Sequence, residues 1–292
     1  MPVTPSPLRY PGGKAALYAM TEQLLRENRL RKRTYAEPFA GGAGLALRLL
    51  YEGVVRRIVL NDLDPGIFSF WNCVLKDHER FLDAMRSTPV TVEEWLFQRD
   101  LHRAAVEPSF ELGFATFFLN RTNRSGVVKG GVIGGLNQEG AYKIGCRYNV
   151  NDLTEKILRI ARYRDDIELT RLDGEVFLKE MDKRDKVLFF VDPPYYLKGS
   201  GLYTNFYVAA DHQRLAGTIH DLDNPWILTY DNTPEITRLY THHRQHTFDL
   251  NYSAGIKRVG TELMVTSPDF VHFTSPRLRG SEPTQSADAA NF

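Results

Sequence analysis

The strongest constraint on how this chain folds is the apolar run Val187-Leu-Phe-Phe-Val191, which stops abruptly on Asp192-Pro193-Pro194-Tyr195. The run reads as a strand of buried type, and its end carries a carboxylate, two prolines and an aromatic ring. In open α/β sheets ligands bind beyond the carboxyl ends of the strands, so this end is a natural place for chemistry. Its groups suit an amino group attached to a nucleobase, whose lone pair is delocalised and attacks poorly until acceptors draw its hydrogens out of plane. Asp192 is one acceptor. The carbonyl of Pro193 is a second, its direction fixed because proline restricts φ on both sides of it. Tyr195 offers a face on which a base swung out of its stack can rest. Taken alone, the same four residues also read as an ordinary strand-ending turn.

A second turn lies near the N-terminus. Thr34-Tyr-Ala-Glu37 reads as a short strand entering Glu37-Pro38-Phe39-Ala40-Gly41-Gly42-Ala43-Gly44, and a helical pattern resumes from Leu45 to Glu52. Glycines there let the backbone approach a nucleoside or amino-acid ligand closely; tight strand-to-helix packing is the plainer reading. The spacing is neither that of a dinucleotide fingerprint nor that of a phosphate loop, which disfavours a nicotinamide dehydrogenase. About twenty residues on, the strand Arg57-Ile-Val-Leu-Asn-Asp62 ends where Rossmann-like sites place a carboxylate on ribose hydroxyls. Asp64 competes for that role, and helix capping is the alternative for both. Asp173, followed by Phe177, suits a hydrogen bond and an apolar wall for an adenine or, more simply, a turn. Tyr10 and Lys14 suit the carboxylate end of an amino-acid cofactor or a plain surface loop.

From about Pro65 to Ala161 the strand-helix alternation lapses. Helical stretches at Ile67–Lys76, Val92–Val106 and Leu112–Leu119 flank a glycine-rich loop from Asn120 to Asn149. Arg121, Arg124, Lys129, Lys143 and Arg147 face one acid there, Glu139, a local net charge of +4 in a chain whose total is +1. Asn120, Asn123, Asn137, Gln138 and Asn149 add groups able to read base edges, and a loop of this length is uncommon unless it has a function. Strands return at Ile167–Leu172, Lys186–Val191, Trp226–Tyr230, Thr247–Tyr252 and Glu262–Thr266. The whole is an open α/β sheet.

Cys73 and Cys146 are the only cysteines and lie outside any metal-ligand spacing, so no thiolate metal site is expected and a reducing, cytoplasmic setting fits. No apolar run approaches a membrane span. The tail 276–292, rich in Ser, Pro, Ala and Gln, reads as disordered.

Together these residues resemble the Dam-like, alpha-group adenine-specific DNA methyltransferases. Tyr10-Pro-Gly-Gly-Lys14 is similar to the family's N-terminal cofactor motif, the turn Glu37–Gly44 to its glycine-rich motif, and Asp62 to its ribose-binding acid. Asp173 and Phe177 stand where the family meets the cofactor's adenine, with Asp192 at the edge of the same cofactor set. Asp192-Pro-Pro-Tyr195 resembles the catalytic tetrapeptide and Tyr252–Glu262 the closing strand region. Phe118-Leu-Asn-Arg121 through Arg147-Tyr148-Asn149 resembles a recognition hairpin that enters DNA, but the stretch Gly126–Gly135 departs from it, so no GATC target carries over.

The resemblance implies a Rossmann-like S-adenosylmethionine domain from residues 1–64 and 166–275, with a mainly helical DNA-recognition subdomain inserted at 65–165. It implies S-adenosyl-L-methionine as cofactor, double-stranded DNA as partner, and methyl transfer to N6 of a flipped adenine. A separate restriction endonuclease is compatible with it, and the oligomeric state is left open. A cytosine-N4 or RNA-base methyltransferase, or an inactive DNA-binding relative, are the alternatives.

Overall fold

The computed structural model describes residues 4–9, 14–196, 207–252 and 258–281. An eight-stranded sheet in the order β3-β2-β1-β4-β5-β7-β6-β8 forms its centre. The strands are β1 (Thr34–Glu37), β2 (Arg57–Asn61), β3 (Ile167–Thr170), β4 (Val187–Val191), β5 (Trp226–Asp231), β6 (Arg244–Tyr252), β7 (Arg258–Thr266) and β8 (Arg279–Ser281). The first five run parallel, and β7 enters antiparallel between β5 and β6. The chain moves outward from β1 through β2 to β3, then returns to β4 on the other side of β1. That reversal opens a crevice beyond the carboxyl ends of β1 and β4, where a doubly wound sheet binds its ligand. All five residues of β4 are buried, as a parallel strand covered on both faces must be.

Ten α-helices lie among the described residues: α1 (Tyr18–Glu27), α2 (Gly44–Tyr51), α3 (Pro65–Lys76), α4 (His78–Ser87), α5 (Val92–Ala104), α6 (Phe110–Thr122), α7 (Val150–Arg162), α8 (Gly174–Asp182), α9 (Ala209–His220) and α10 (Pro234–Leu239). No helix there is long and apolar enough to cross a membrane. Where one helix would suffice to join β2 to β3, five intervene. Their starts are written locally: Asp64, Thr91, Ser109 and Asn149 each accept a hydrogen bond from a first-turn N–H of α3, α5, α6 and α7. The helices pack through aromatic rings, with Phe70 and Phe117 stacked at 5.9 Å and Phe81 edge-on to both. The same buried cluster continues into Leu45, Ile58 and Leu188 beneath the sheet. The inserted helices therefore share a core with the sheet.

Helices α4 and α7 are not among the stretches singled out by periodicity, although Leu153, Ile157, Ile160 and Ala161 of α7 line one buried face. Another difference concerns the tail. Reading disorder from residue 276 begins too early, because Arg279–Ser281 pairs antiparallel with Thr247–Gln245 of β6. An outer strand offers unpaired N–H and C=O groups, and three residues can use them whatever their composition.

Helices α3 and α6 meet backbone to backbone at Gly113 of α6, where an added Cβ would lie 2.7 Å from the backbone of Ser69 in α3 and 2.9 Å from the sulfur of Cys73. Neither backbone can yield without parting the helices. Gly113→Ala is expected to lower stability by about 1–3 kcal/mol, read as a lower denaturant midpoint with an unchanged slope.

Candidate active site

Residues from distant segments meet at the carboxyl ends of β4 and β5. Asp192 follows β4 directly, Tyr195 ends the same turn, Lys14 begins the first described helical turn, and Glu262 lies in β7 opposite Asp231 of β5. The Lys14 ammonium is 3.1 Å from Oδ1 of Asp192 and 3.4 Å from Oε2 of Glu262. It donates to the Tyr195 hydroxyl at 2.6 Å, and that hydroxyl donates to Oε1 of Glu262 at 2.5 Å. Thr229 in β5 donates to Oδ1 of Asp192 at 2.9 Å. Both bonds to Asp192 thus fall on one oxygen, and its side chain is 25 % exposed whereas Glu262 is 1 % exposed.

Burial drives the electrostatics here. It raises Asp192 to about 6, against the lowering pull of Lys14 and with the support of Glu262. Burial alone would depress Lys14, yet Asp192 and Glu262 hold its ammonium above the ordinary lysine value. Glu37, at the end of β1, is pushed by burial up to about 8 even though Tyr35 donates to it at 3.0 Å.

The glycine turn is tied down on three sides. Gly41 and Ala43 adopt left-handed φ of 46°, a conformation costly for Ala43 and free for Gly41. The Gly41 N–H donates to Oδ2 of Asp62 at 2.8 Å, and its carbonyl accepts from the Trp71 indole of α3 at 2.9 Å. Asp62 also accepts from the Asp64 N–H at 3.0 Å, and burial, then Asp64, raise it to about 7. Asp64 itself caps α3 through Gly66 and Ile67, so of the two competing carboxylates it is the capping one. Buried Asn61 bonds the Pro38 and Leu172 carbonyls and joins the ends of β1, β2 and β3; sequence reading passed over it as one more strand residue. Pro38 and Gly42 are buried, and Gly44 packs against Ala15. Phe39 lies half-buried over Gly174 and edge-on to Tyr207 at 5.9 Å.

Several expectations change. Tyr195 is only 4 % exposed, so its hydroxyl, anchored by Lys14 and Glu262, is its prominent feature rather than an open stacking face. Phe177 is 1 % exposed within the core between sheet and helices and is not an open wall. Asp173 is exposed and caps α8. Tyr10 lies outside the described residues.

In the basic loop, Asn120, Arg121, Asn123 and Tyr148 are buried and turned inward. Asn120 bonds both backbone groups of Arg9, Asn123 accepts from the Trp95 indole at 2.6 Å, Arg121 donates to the Arg147 and Pro7 carbonyls, and the Tyr148 hydroxyl faces the Met85 carbonyl. They sit at the end of α6 or against it, where a polar side chain must be satisfied internally. Gln138 is likewise spent on loop backbone. Arg124, Lys129, Asn137, Lys143 and Arg147 face solvent.

A model of the D12 class N6 adenine-specific DNA methyltransferases matches residues 10–254, which hold the glycine turn, the Asp192 tetrapeptide and the basic loop. The chain belongs to this family. It is accordingly an S-adenosylmethionine-dependent enzyme that methylates adenine N6 in DNA. It is similar to the Type II methyltransferase M.MjaIII of Methanocaldococcus jannaschii, 22% identical over 206 residues that cover 64% of this chain and 68% of that protein. Among solved structures it is similar to PH1948 of Pyrococcus horikoshii, provisionally named an RNA methyltransferase, at 12% identity and TM-score 0.41 over 89% of this chain and 84% of that one. It is similar also to LPL1258 of Legionella pneumophila, at 10% identity and TM-score 0.33 over 87% and 84%. Within this D12 methyltransferase, Glu262 and Thr229 are the site residues that sequence reading missed. The resemblance included Glu262 only as the end of a strand region, and nothing local marks Thr229.

Glu37, Asp62 and Asp192 all titrate above their unfolded values, so between about pH 4 and 8 the folded protein holds protons that the unfolded chain has released. Stability of the ligand-free enzyme should fall as pH rises through that window. Melting temperatures at about pH 5.5 and 8 should differ less in Glu37→Gln than in the parent; an equal difference would remove Glu37 from the account.

Proposed function

We propose that the crevice beyond β1 and β4 holds S-adenosylmethionine and an adenine flipped out of duplex DNA, and that Asp192 and the Pro193 carbonyl accept the two N6 hydrogens. The observation that carries this is the asymmetric hold on Asp192. Lys14 and Thr229 occupy Oδ1, while Oδ2 has no partner among the described residues. One oxygen is anchored and the other is available to an amino group. Accepting the N6 hydrogens would localise the lone pair and hold the nitrogen where a bound cofactor presents its methyl, positioning that would lower the barrier, and the proton displaced from nitrogen would leave by way of the Asp192 carboxylate. Pro194 stiffens the turn behind them, and Tyr195 braces it through its hydroxyl.

The residues fit the cofactor. It supplies a methyl group on a positively charged sulfur, and Glu37, Asp62 and Asp192 stand at the ends of β1, β2 and β4, carboxyls whose ionised form a cationic ligand would favour. We assign Asp62 and the turn Pro38–Gly44 to its nucleoside and amino-acid parts, and Phe39, with Tyr207 and Asp173 beside it, to the edge of its adenine. Lys14 stands at the catalytic carboxylate in this reading and not at the cofactor's own carboxylate. The solvent-facing Arg124, Lys129, Asn137, Lys143 and Arg147 approach the DNA, while the buried Asn120, Arg121, Asn123 and Tyr148 hold the loop in shape.

Asp192→Ala tests the assignment directly. With labelled S-adenosylmethionine and undermethylated genomic DNA, the parent should yield N6-methyladenine. The variant should lose at least about a hundredfold in rate while cofactor binding remains measurable by calorimetry. Retained transfer would sink the role of Asp192.

For the loop, a double variant Arg124→Gln, Lys129→Gln should weaken binding to unrelated duplexes about equally. It should also reduce the slope of log affinity against log salt by about two. An unchanged slope would place the phosphate contacts elsewhere.

A further inference from the structure

We propose that Glu262 is a positioning residue of the transfer reaction, holding Lys14 and Tyr195 from β7 so that Asp192 keeps one anchored and one available oxygen. The inference rests on the reading of Asp192 as an acceptor for the N6 hydrogens.

Glu262 is 1 % exposed, in a strand whose next three residues, Leu263, Met264 and Val265, belong to the apolar core. A carboxylate in such a place is costly unless charge and hydrogen bonds compensate it. The site supplies one of each: Oε1 accepts from Tyr195 and Oε2 stands 3.4 Å from the Lys14 ammonium. The consequence for Asp192 is geometric. A lysine paired with Asp192 alone is free to swing across both of its oxygens. With a second carboxylate behind it and the Tyr195 hydroxyl beside it at 2.6 Å, the ammonium is confined to the Oδ1 side.

The charge of Glu262 also matters, because a neutral amide at this position would still bond to Tyr195 and Lys14. Other ionisable groups face the cluster: Glu37 and Tyr35 from β1, Tyr230 and Asp231 from β5, and Tyr195. Like Glu37, which interacts with both Asp192 and Lys14, Glu262 acts on both partners: its negative charge disfavours ionised Asp192 and favours protonated Lys14. Removing that charge should therefore let Asp192 ionise at lower pH and let Lys14 lose its proton at lower pH. Both limbs of the rate profile then move in the acid direction, which a loss of packing alone does not produce.

The test is the pH dependence of kcat for the full chain on undermethylated DNA, in the parent, Glu262→Gln and Glu262→Asp, with cofactor affinity measured by calorimetry. Glu262→Gln should lower kcat by between about tenfold and a hundredfold and shift both limbs by about one pH unit toward acid, with cofactor affinity unchanged. Glu262→Asp keeps the charge on a shorter arm, so kcat should fall while the limbs stay in place. A folded Glu262→Gln enzyme with the parent's kcat and limbs would overturn the proposal. So would a Glu262→Asp enzyme with the parent's kcat, an outcome that remains decisive if the glutamine variant does not fold. Activity in Asp192→Ala would instead overturn the underlying reading of the acceptor, so the two failures are distinguishable.

Discussion

Lys14, Tyr195 and Glu262 are buried together beyond β4 and β5 beside the half-buried Asp192, and the four side chains hold one another by charge and hydrogen bonds. Lys14 precedes α1, Asp192 and Tyr195 follow β4, and Glu262 belongs to a strand that runs against its neighbours. Removing one partner from such a group leaves a desolvated charge, which costs more than the group as a whole contributes. The cluster therefore couples the N-terminal segment, the parallel half of the sheet and the antiparallel half at one point. The antiparallel entry of β7 between β5 and β6 has a use in this light, since it carries Glu262 into register with Asp231 at the crevice.

The five helices between β2 and β3 are joined to the site by more than chain continuity. Trp71 reaches from α3 to the Gly41 carbonyl, while Asp62 holds the Gly41 N–H, so the glycine turn is clamped between the sheet and the insertion. At the other end, Asn120 and Arg121 of α6 bond the backbone of Arg9 and Pro7, just before the segment that leads to Lys14. The basic loop grows out of α6 and so is built on the same support as Lys14.

Much of the fold was legible because its signals are local. The apolar run of β4, the alternation around it and the helical periods of α3, α5 and α6 are properties of neighbouring residues. The tetrapeptide after β4 and the glycine turn after β1 were legible for the same reason, and topology brings both to one crevice. The loop residues divided differently. Composition flagged Arg121 for its charge and Asn120 and Asn123 as base readers, yet the end of α6 and its C-cap turn them into the interior, where an amide or a guanidinium must find partners within the protein. The solvent-facing Arg124 and Lys129 carry the same signal in the sequence, and only burial separates the two sets.

The sequence by itself determined the buried strand β4 with its Asp-Pro-Pro-Tyr end, the glycine turn after β1 and the helices α3, α5 and α6, because hydrophobic period and turn chemistry act over a few residues. Tertiary structure alone decided that Asp64 is a cap while Asp62 holds the glycine turn, that Lys14 faces Asp192, and that Glu262 completes the cluster. Those outcomes depend on contacts between residues far apart in the chain, 181 positions for Lys14 and Tyr195 and more for Lys14 and Glu262. No local preference encodes such a contact; it exists only once the sheet has closed and excluded water from around it.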